Sequence, residues 1–235
     1  MISDTKVVAI GGGTGLSTML KGLKLHTHNI TAVVTVADDG GSSGILRSDL
    51  GMLAPGDVRN CVSALAEVDP VMGELLNFRF KDGSLKGHSL GNLFLAALNE
   101  TSSSFDEAVK KFSHLAGVVG TVYPVTNESV TLSALLEDGR LIEGESHIGV
   151  HHDGPKNGIV KLMVNPEKPK AVDGVIKALE KADIIVLGPG SLYTSIIPNL
   201  LVDGVVDAIK KSNAVKIYVC NIMSQAGETE NYTVS

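Results

Sequence analysis

The chain has no tryptophan, and aromatic residues make up only 4% of its 235 residues. With so few rings it is not built to read bases by stacking them along a surface. It also lacks an excess of positive charge. The formal net charge is −6 and no basic cluster stands out, which excludes a general nucleic-acid or acidic-membrane surface. No run approaches the ~18 apolar residues that a membrane-spanning helix needs. Met1–Asp4 is not a basic segment followed by a long apolar one, so no export signal is read. The two cysteines, Cys61 and Cys220, lie far apart in apolar contexts and read as reduced thiols of a cytoplasmic protein. Without an export signal, the sequons at Asn29, Asn99, Asn127 and Asn231 are chance matches.

Glycine is in excess: 26 residues, about 11% of the chain against a usual ~7%. They cluster at Gly11–Gly15, Gly40–Gly44, Gly51–Gly56, Gly87–Gly91 and Gly188–Gly190. Clustered glycines bring backbone close to a partner, and here they point to loops shaped for phosphate.

Charged residues at 20% and hydrophobic residues at 43% describe ordinary globular protein. Val7–Ile10 is a short apolar run ending in glycines, Ser17–Leu25 reads as a helix, and Ile30–Val36 is a second β-branched strand. This strand, glycine loop, helix, strand order is a βαβ unit, and it places both loops at the carboxyl edge of one parallel sheet. Helices follow at 58–66, 70–80, 89–99 and, behind a Ser104/Glu107 capping box, to Leu115. Residues 121–164 are strand-rich, with a hairpin turn at Glu137-Asp138-Gly139-Arg140 and further extended segments at 148–150 and 159–164. A helix at 172–181, a buried strand at 184–187, a helix at 200–211 and a strand at 215–221 complete the pattern. The expectation is a single α/β domain over residues 1–235. It is a Rossmann-like wound, mostly parallel sheet with helices on both faces and a strand-rich excursion around 121–164. The chain stops at Ser235 with no helix to follow that capping residue, so a shortened chain is expected.

Five motifs carry chemistry. In Gly11-Gly12-Gly13-Thr14-Gly15-Leu16-Ser17, backbone amides and the start of a helix suit an anion. Leu16 stands where a dinucleotide fingerprint has its third glycine, and no Gly-Lys-Ser/Thr of a triphosphatase loop occurs. Asp38-Asp39-Gly40-Gly41-Ser42-Ser43-Gly44 puts one acid where a ribose-binding carboxylate lies and offers amides and hydroxyls as a second cradle, or else it is a solvated turn. In Pro55-Gly56-Asp57-Val58-Arg59-Asn60, Arg59 suits a phosphate or carboxylate, while Asp57 is either a helix cap or a metal or ligand contact. Gly87-His88-Ser89-Leu90-Gly91-Asn92 opens a helix and reads as an anion site or a structural histidine. Gly188-Pro189-Gly190-Ser191-Leu192-Tyr193-Thr194-Ser195 adds a loop and three hydroxyls at the same edge, where Asn221 also ends a strand. His147, His151 and His152 with Asp153 read as a solvated loop.

Together, in this order, the five motifs resemble the CofD/YvcK family over nearly the whole chain. The Asp-Asp-Gly-Gly-Ser-Ser-Gly form resembles its YvcK branch, the bacterial gluconeogenesis factors. The resemblance implies a Rossmann-like fold with ligand at the strand carboxyl ends. It further implies a cytoplasmic, non-catalytic or regulatory protein that binds a uridine-diphosphate sugar and supports cell shape and wall synthesis on gluconeogenic carbon. Expected ligand contacts are Gly12, Gly13, Thr14, Gly15, Asp38, Asp39, Gly41, Ser42, Ser43, Asp57, Arg59, Asn60, His88, Asn92, Gly188, Gly190, Ser191 and Asn221, with Asp39 and Asp57 as candidate Mg²⁺ ligands. Expected partners are the small nucleotide ligand, a second copy in a homodimer and cell-wall-synthesis proteins; nucleic acid and membrane insertion are excluded. One alternative is transfer of a phospholactyl group from a GDP-linked donor to a deazaflavin, as in the CofD branch; the Gly40–Gly44 loop departs from that branch. Another is an oxidoreductase using NAD, which could also be a merely bound ligand.

Overall fold

The computed structural model describes residues 3–149, 158–230, 232 and 233. Its strands are β1 (Val7–Gly11), β2 (Ile30–Val34), β3 (Thr121–Pro124), β4 (Thr131–Leu136), β5 (Leu141–Glu143), β6 (Ile159–Asn165), β7 (Ile184–Leu187) and β8 (Val215–Tyr218). The helices are α1 (Thr14–Leu23), α2 (Gly41–Leu50), α3 (Gly56–Leu65), α4 (Pro70–Asn77), α5 (Leu90–Glu100), α6 (Phe105–Leu115), α7 (Glu145–Ile148), α8 (Asp173–Lys181), α9 (Ile197–Leu200) and α10 (Val205–Lys211). None of them is long and apolar enough to cross a membrane.

The main sheet has five parallel strands in the order β3-β2-β1-β7-β8. Its apolar residues alternate between two buried faces. Val7, Ala9, Ala32 and Val34 meet residues of α1, α3, α5 and α6 on one side. Val8, Ile10, Val33 and Ile185 meet α8 and α10 on the other. A strand buried on both faces has no reason to show a polar stripe, and these runs show none. The chain winds outward from β1 through β2 to β3, then crosses back to β7 and β8. The reversal lies between β1 and β7, and a crevice opens there at the strand carboxyl ends.

A small antiparallel sheet, β5-β4-β6, sits on this core. It begins at Thr131, because 121–124 joins the main sheet as edge strand β3. The expected helix over 200–211 is broken: α9 ends at Leu200 and α10 starts at Val205, after Gly204 at φ +83°. Two other expected local structures differ. Gly41–Leu50 is a helix, not a loop: Gly44 N–H donates to Gly40 O (3.0 Å), and Gly44 lets that first turn lie against the Asp39 carbonyl, where a Cβ would collide. Ile148, expected to be extended, closes α7. Val150, His151, His152, Asp153, Asn231 and Ser235 lie outside the described residues.

Candidate ligand cleft at the switch point

β1 ends at Gly11 and β7 at Leu187, so the turns that follow both strands face each other across the switch point. They touch. A Cβ on Gly15 would lie 2.6 Å from the Pro189 carbonyl oxygen, and one on Gly12 would lie 2.7 Å from Ser195 Oγ. Only a residue without a side chain permits such approaches. Beneath them, the buried Asn199 amide donates to Gly11 O (3.1 Å) and Ser195 O (2.8 Å), stitching the two turns together.

The turns enclose a cleft of about 400 Å³. Its floor is Gly12, Gly13, Thr14 and Gly15, where the first N–H groups of α1 have no helical partner. One wall is Pro189, Gly190, Ser191, Thr194 and Ser195, extended by Asn221 and Gln225; the other is acidic, with Asp38, Asp57 and Glu145. Of the expected contacts, Gly12, Gly13, Thr14, Gly15, Asp38, Asp57, Gly190, Ser191 and Asn221 therefore share one cavity.

Among the described residues, no lysine or arginine lines the cleft, so the acids feel one another. Asp57, in the first turn of α3, accepts the Gly13 N–H, yet burial and then the Asp38 charge push its pKa up to about 7. Glu145 is pushed up to about 7 by burial first, then by the charges of Asp38, Asp57 and Asp39. Both are half-buried carboxyls that resist ionisation.

Of the expected Asp39/Asp57 metal pair, Asp57 lines the cleft and Asp39 stands behind it. Asp39 accepts N–H groups from Glu145 (2.9 Å) and Ser146 (2.8 Å), one on each carboxylate oxygen. It caps α7 and so holds Glu145 against the cleft. Asp38, Asp57 and Glu145 are the acids that converge. Among the described residues no three metal-binding side chains form a ready site. An all-oxygen set of this kind fits a hard divalent cation that takes one or two carboxylates and fills its coordination from ligand phosphates.

Five expected ligand contacts turn away from the cleft into a buried hydrogen-bond network. Ser42 Oγ meets His88 Nδ1 (2.9 Å), Asn92 Nδ2 donates to Ser42 Oγ (3.1 Å), and Arg59 Nε donates to Asn92 Oδ1 (3.3 Å). Arg59 Nη1 donates to Asn77 Oδ1 (2.9 Å), and Ser43 Oγ accepts the Gly56 N–H (3.2 Å). Arg59 is only 7% exposed, and burial, then the Arg79 charge, lowers its pKa. Polar groups that satisfy one another in this way brace α2, α3 and α5 behind the acidic wall. Asn60 stands beside Gly13. Gly41 opens α2 at φ +45°, and Gly188 turns the chain out of β7 at φ +86°.

The pattern missed Glu145 and Gln225. Neither lies in a glycine motif, and Glu145 is placed by a contact spanning 106 positions. Gln225 belongs to a segment that closes the hydroxyl wall from outside. Its Nε2 donates to Ser191 Oγ (2.8 Å) and Asn221 Nδ2 donates to Gly190 O (3.0 Å). The buried Glu228 accepts the Tyr193 N–H (2.9 Å) and the Thr194 hydroxyl (3.1 Å).

Fold and cleft together define a Rossmann-like α/β protein whose polar crevice opens at the switch point of its parallel sheet. The family model described as 2-phospho-L-lactate transferase CofD matches residues 7–235, and the chain belongs to that family. Among curated relatives, the gluconeogenesis factor of Halalkalibacterium halodurans is 49% identical over 97% of this chain and 70% of its own length. That of Bacillus subtilis is 47% identical over 98% of this chain and 72% of its own. A relative from Clostridium acetobutylicum is 54% identical over the whole of this chain, which spans 52% of that protein's length. A crystal structure of a UPF0052 family member from Bacillus halodurans superposes with a TM-score of 0.93 at 46% identity, over 99% of this chain and 74% of that one.

Proposed function

We propose that the cleft binds a nucleoside-diphosphate sugar and that the protein acts as a gluconeogenesis factor, like the relatives that carry that name. One observation carries this reading: the amide floor at Gly12–Gly15 and the carboxylates of Asp38, Asp57 and Glu145 line the same cavity. Unpaired N–H groups at the start of α1 suit phosphate oxygens. Carboxylates beside them are acceptors for the hydroxyls of ribose or sugar, and Ser191, Thr194 and Ser195 add hydroxyls on the facing wall. A divalent cation held by these acids would neutralise the diphosphate charge. Following the kinship, the ligand tested first is UDP-N-acetylglucosamine. The role is regulatory and cytoplasmic, in cell shape and wall synthesis on gluconeogenic carbon, alone, as a homodimer or with proteins of wall synthesis.

The family description is consistent with a second reading, phospholactyl transfer from a GDP-linked donor to a deazaflavin with a divalent metal. Thermal melting separates the two, because a ligand that binds only the folded state raises Tm with its concentration. We expect a rise with UDP-N-acetylglucosamine. A rise with GDP and Mg²⁺ alone would replace the first reading by the transferase, a rise with NAD alone by a dinucleotide binder. No rise with any of them would remove all three.

A further inference from the structure

A second cavity, of about 310 Å³, adjoins the cleft at Asn221, which lines both. The two differ in character. The cleft is walled by carboxylates, hydroxyls and amides. The second cavity has Leu192, Tyr218, Ile222, Met223 and Tyr232 in its wall. The chain has four tyrosines, and two of them stand here. Tyr232 is held against Tyr193, with hydroxyls 2.6 Å apart and ring centroids 6.3 Å apart. Tyr218 is 49% exposed and Tyr232 51%, so both rings keep open surface. The amide of Asn221 is spent on Gly190 O and Gln225 Oε1, at 3.0 Å each. Cys220, Ser224, Thr229 and Thr233 complete the lining, so the cavity offers aromatic and apolar surface with hydroxyls beside it.

Resting on the nucleotide reading above, we propose that this cavity takes the planar ring of the ligand, with Tyr218 and Tyr232 as its stacking surface. A ligand whose phosphates lie on the Gly12–Gly15 floor and whose ring passes Asn221 fills both cavities. Stacking accepts any base, since every base has a π-face. Recognition here is of a ring as such, and choice among bases is weak.

The absence of tryptophan supplies the measurement, because intrinsic emission comes from the four tyrosines alone. The 235-residue chain is titrated with UDP and with inorganic pyrophosphate, each with Mg²⁺, following tyrosine emission and, by calorimetry, affinity. We expect UDP to quench emission and pyrophosphate to bind without quenching. Tyr218→Ala weakens UDP by about tenfold and leaves pyrophosphate unchanged, Tyr218→Phe restores UDP, and Tyr232→Ala acts as Tyr218→Ala does. Unchanged pyrophosphate affinity also shows that a variant is folded. If both alanine variants bind UDP as the parent does, or UDP binds without quenching, the ring site is wrong while the phosphate floor stands. If neither probe binds the parent chain, the nucleotide reading falls and the ring site with it.

Discussion

A carboxyl group at the start of α3, pressed under the Gly12–Gly13 turn, opposes folding whenever it is charged. Asp57 has a pKa of about 7 in the folded chain against an ordinary 3.8, from burial first and then the Asp38 charge. Glu145 is raised in the same sense. The folded state thus holds these protons more tightly than the unfolded chain does. The stability this contributes is complete below about pH 4 and is lost as pH rises through 7. Asp57→Asn keeps the shape and an acceptor for the Gly13 N–H but cannot ionise. Its Tm should exceed the parent's at pH 8, and its Tm should fall less between pH 5 and pH 8. Identical pH profiles by calorimetry would show that Asp57 is not strained. This strain was not legible in the sequence, where Asp57 read equally as cap or ligand; only its place beneath Gly13 and beside Asp38 separates the two.

At the scale of elements, glycine does opposite things within one helix. α1 contains Gly15, whose missing Cβ makes room for the Pro189 carbonyl, and Gly22, around which nothing lies within 4 Å. Gly22→Ala should therefore stabilise the chain by about 0.5–1 kcal/mol through helix propensity. Gly15→Ala should destabilise it by roughly 1–3 kcal/mol, because rigid backbone must move. Urea unfolding measures both, and equal effects would mean that the two turns do not meet as described. The Gly15 turn was legible because parallel strands ending in glycine must send their loops to one edge. The capping serine of α6 was legible as well: Ser104 Oγ accepts the Glu107 N–H, although the Glu107 carboxylate returns to Ser103 and not to Ser104. α2 was not legible. Its Gly-Ser-Ser-Gly start favours a turn, and the helix is tied to residues outside it by its own Arg47, which donates to Ala37 O, Asp38 O and Val130 O. The Ser42–His88–Asn92–Arg59 network was likewise not legible. Side chains able to bind a ligand are equally able to bind one another, and packing decides which they do.

Across the whole molecule, charge sets the conditions for binding. The chain carries a formal −6, and three of its carboxylates line the cleft with no basic residue beside them among the described residues. The start of α1 offers only about half a positive charge, too little to offset these acids and a diphosphate together. Among the described residues, the neutralisation left to the cleft is a divalent cation or protons on Asp57 and Glu145. The two compete, because a protonated carboxyl is a poor metal ligand. With EDTA present, UDP affinity should rise as pH falls from 8 to 6. With Mg²⁺ at pH 8 it should rise by about tenfold or more, the equivalent of ~1.4 kcal/mol, and that advantage should shrink on acidification. Calorimetric titrations at two pH values, each with EDTA and with Mg²⁺, give the four affinities. If UDP binds equally in all four, the carboxylates do not face the phosphates and the ligand lies elsewhere along the sheet edge. A dependence on pH without one on Mg²⁺ would instead leave the protons of Asp57 and Glu145 as the only counter-charge the cleft uses.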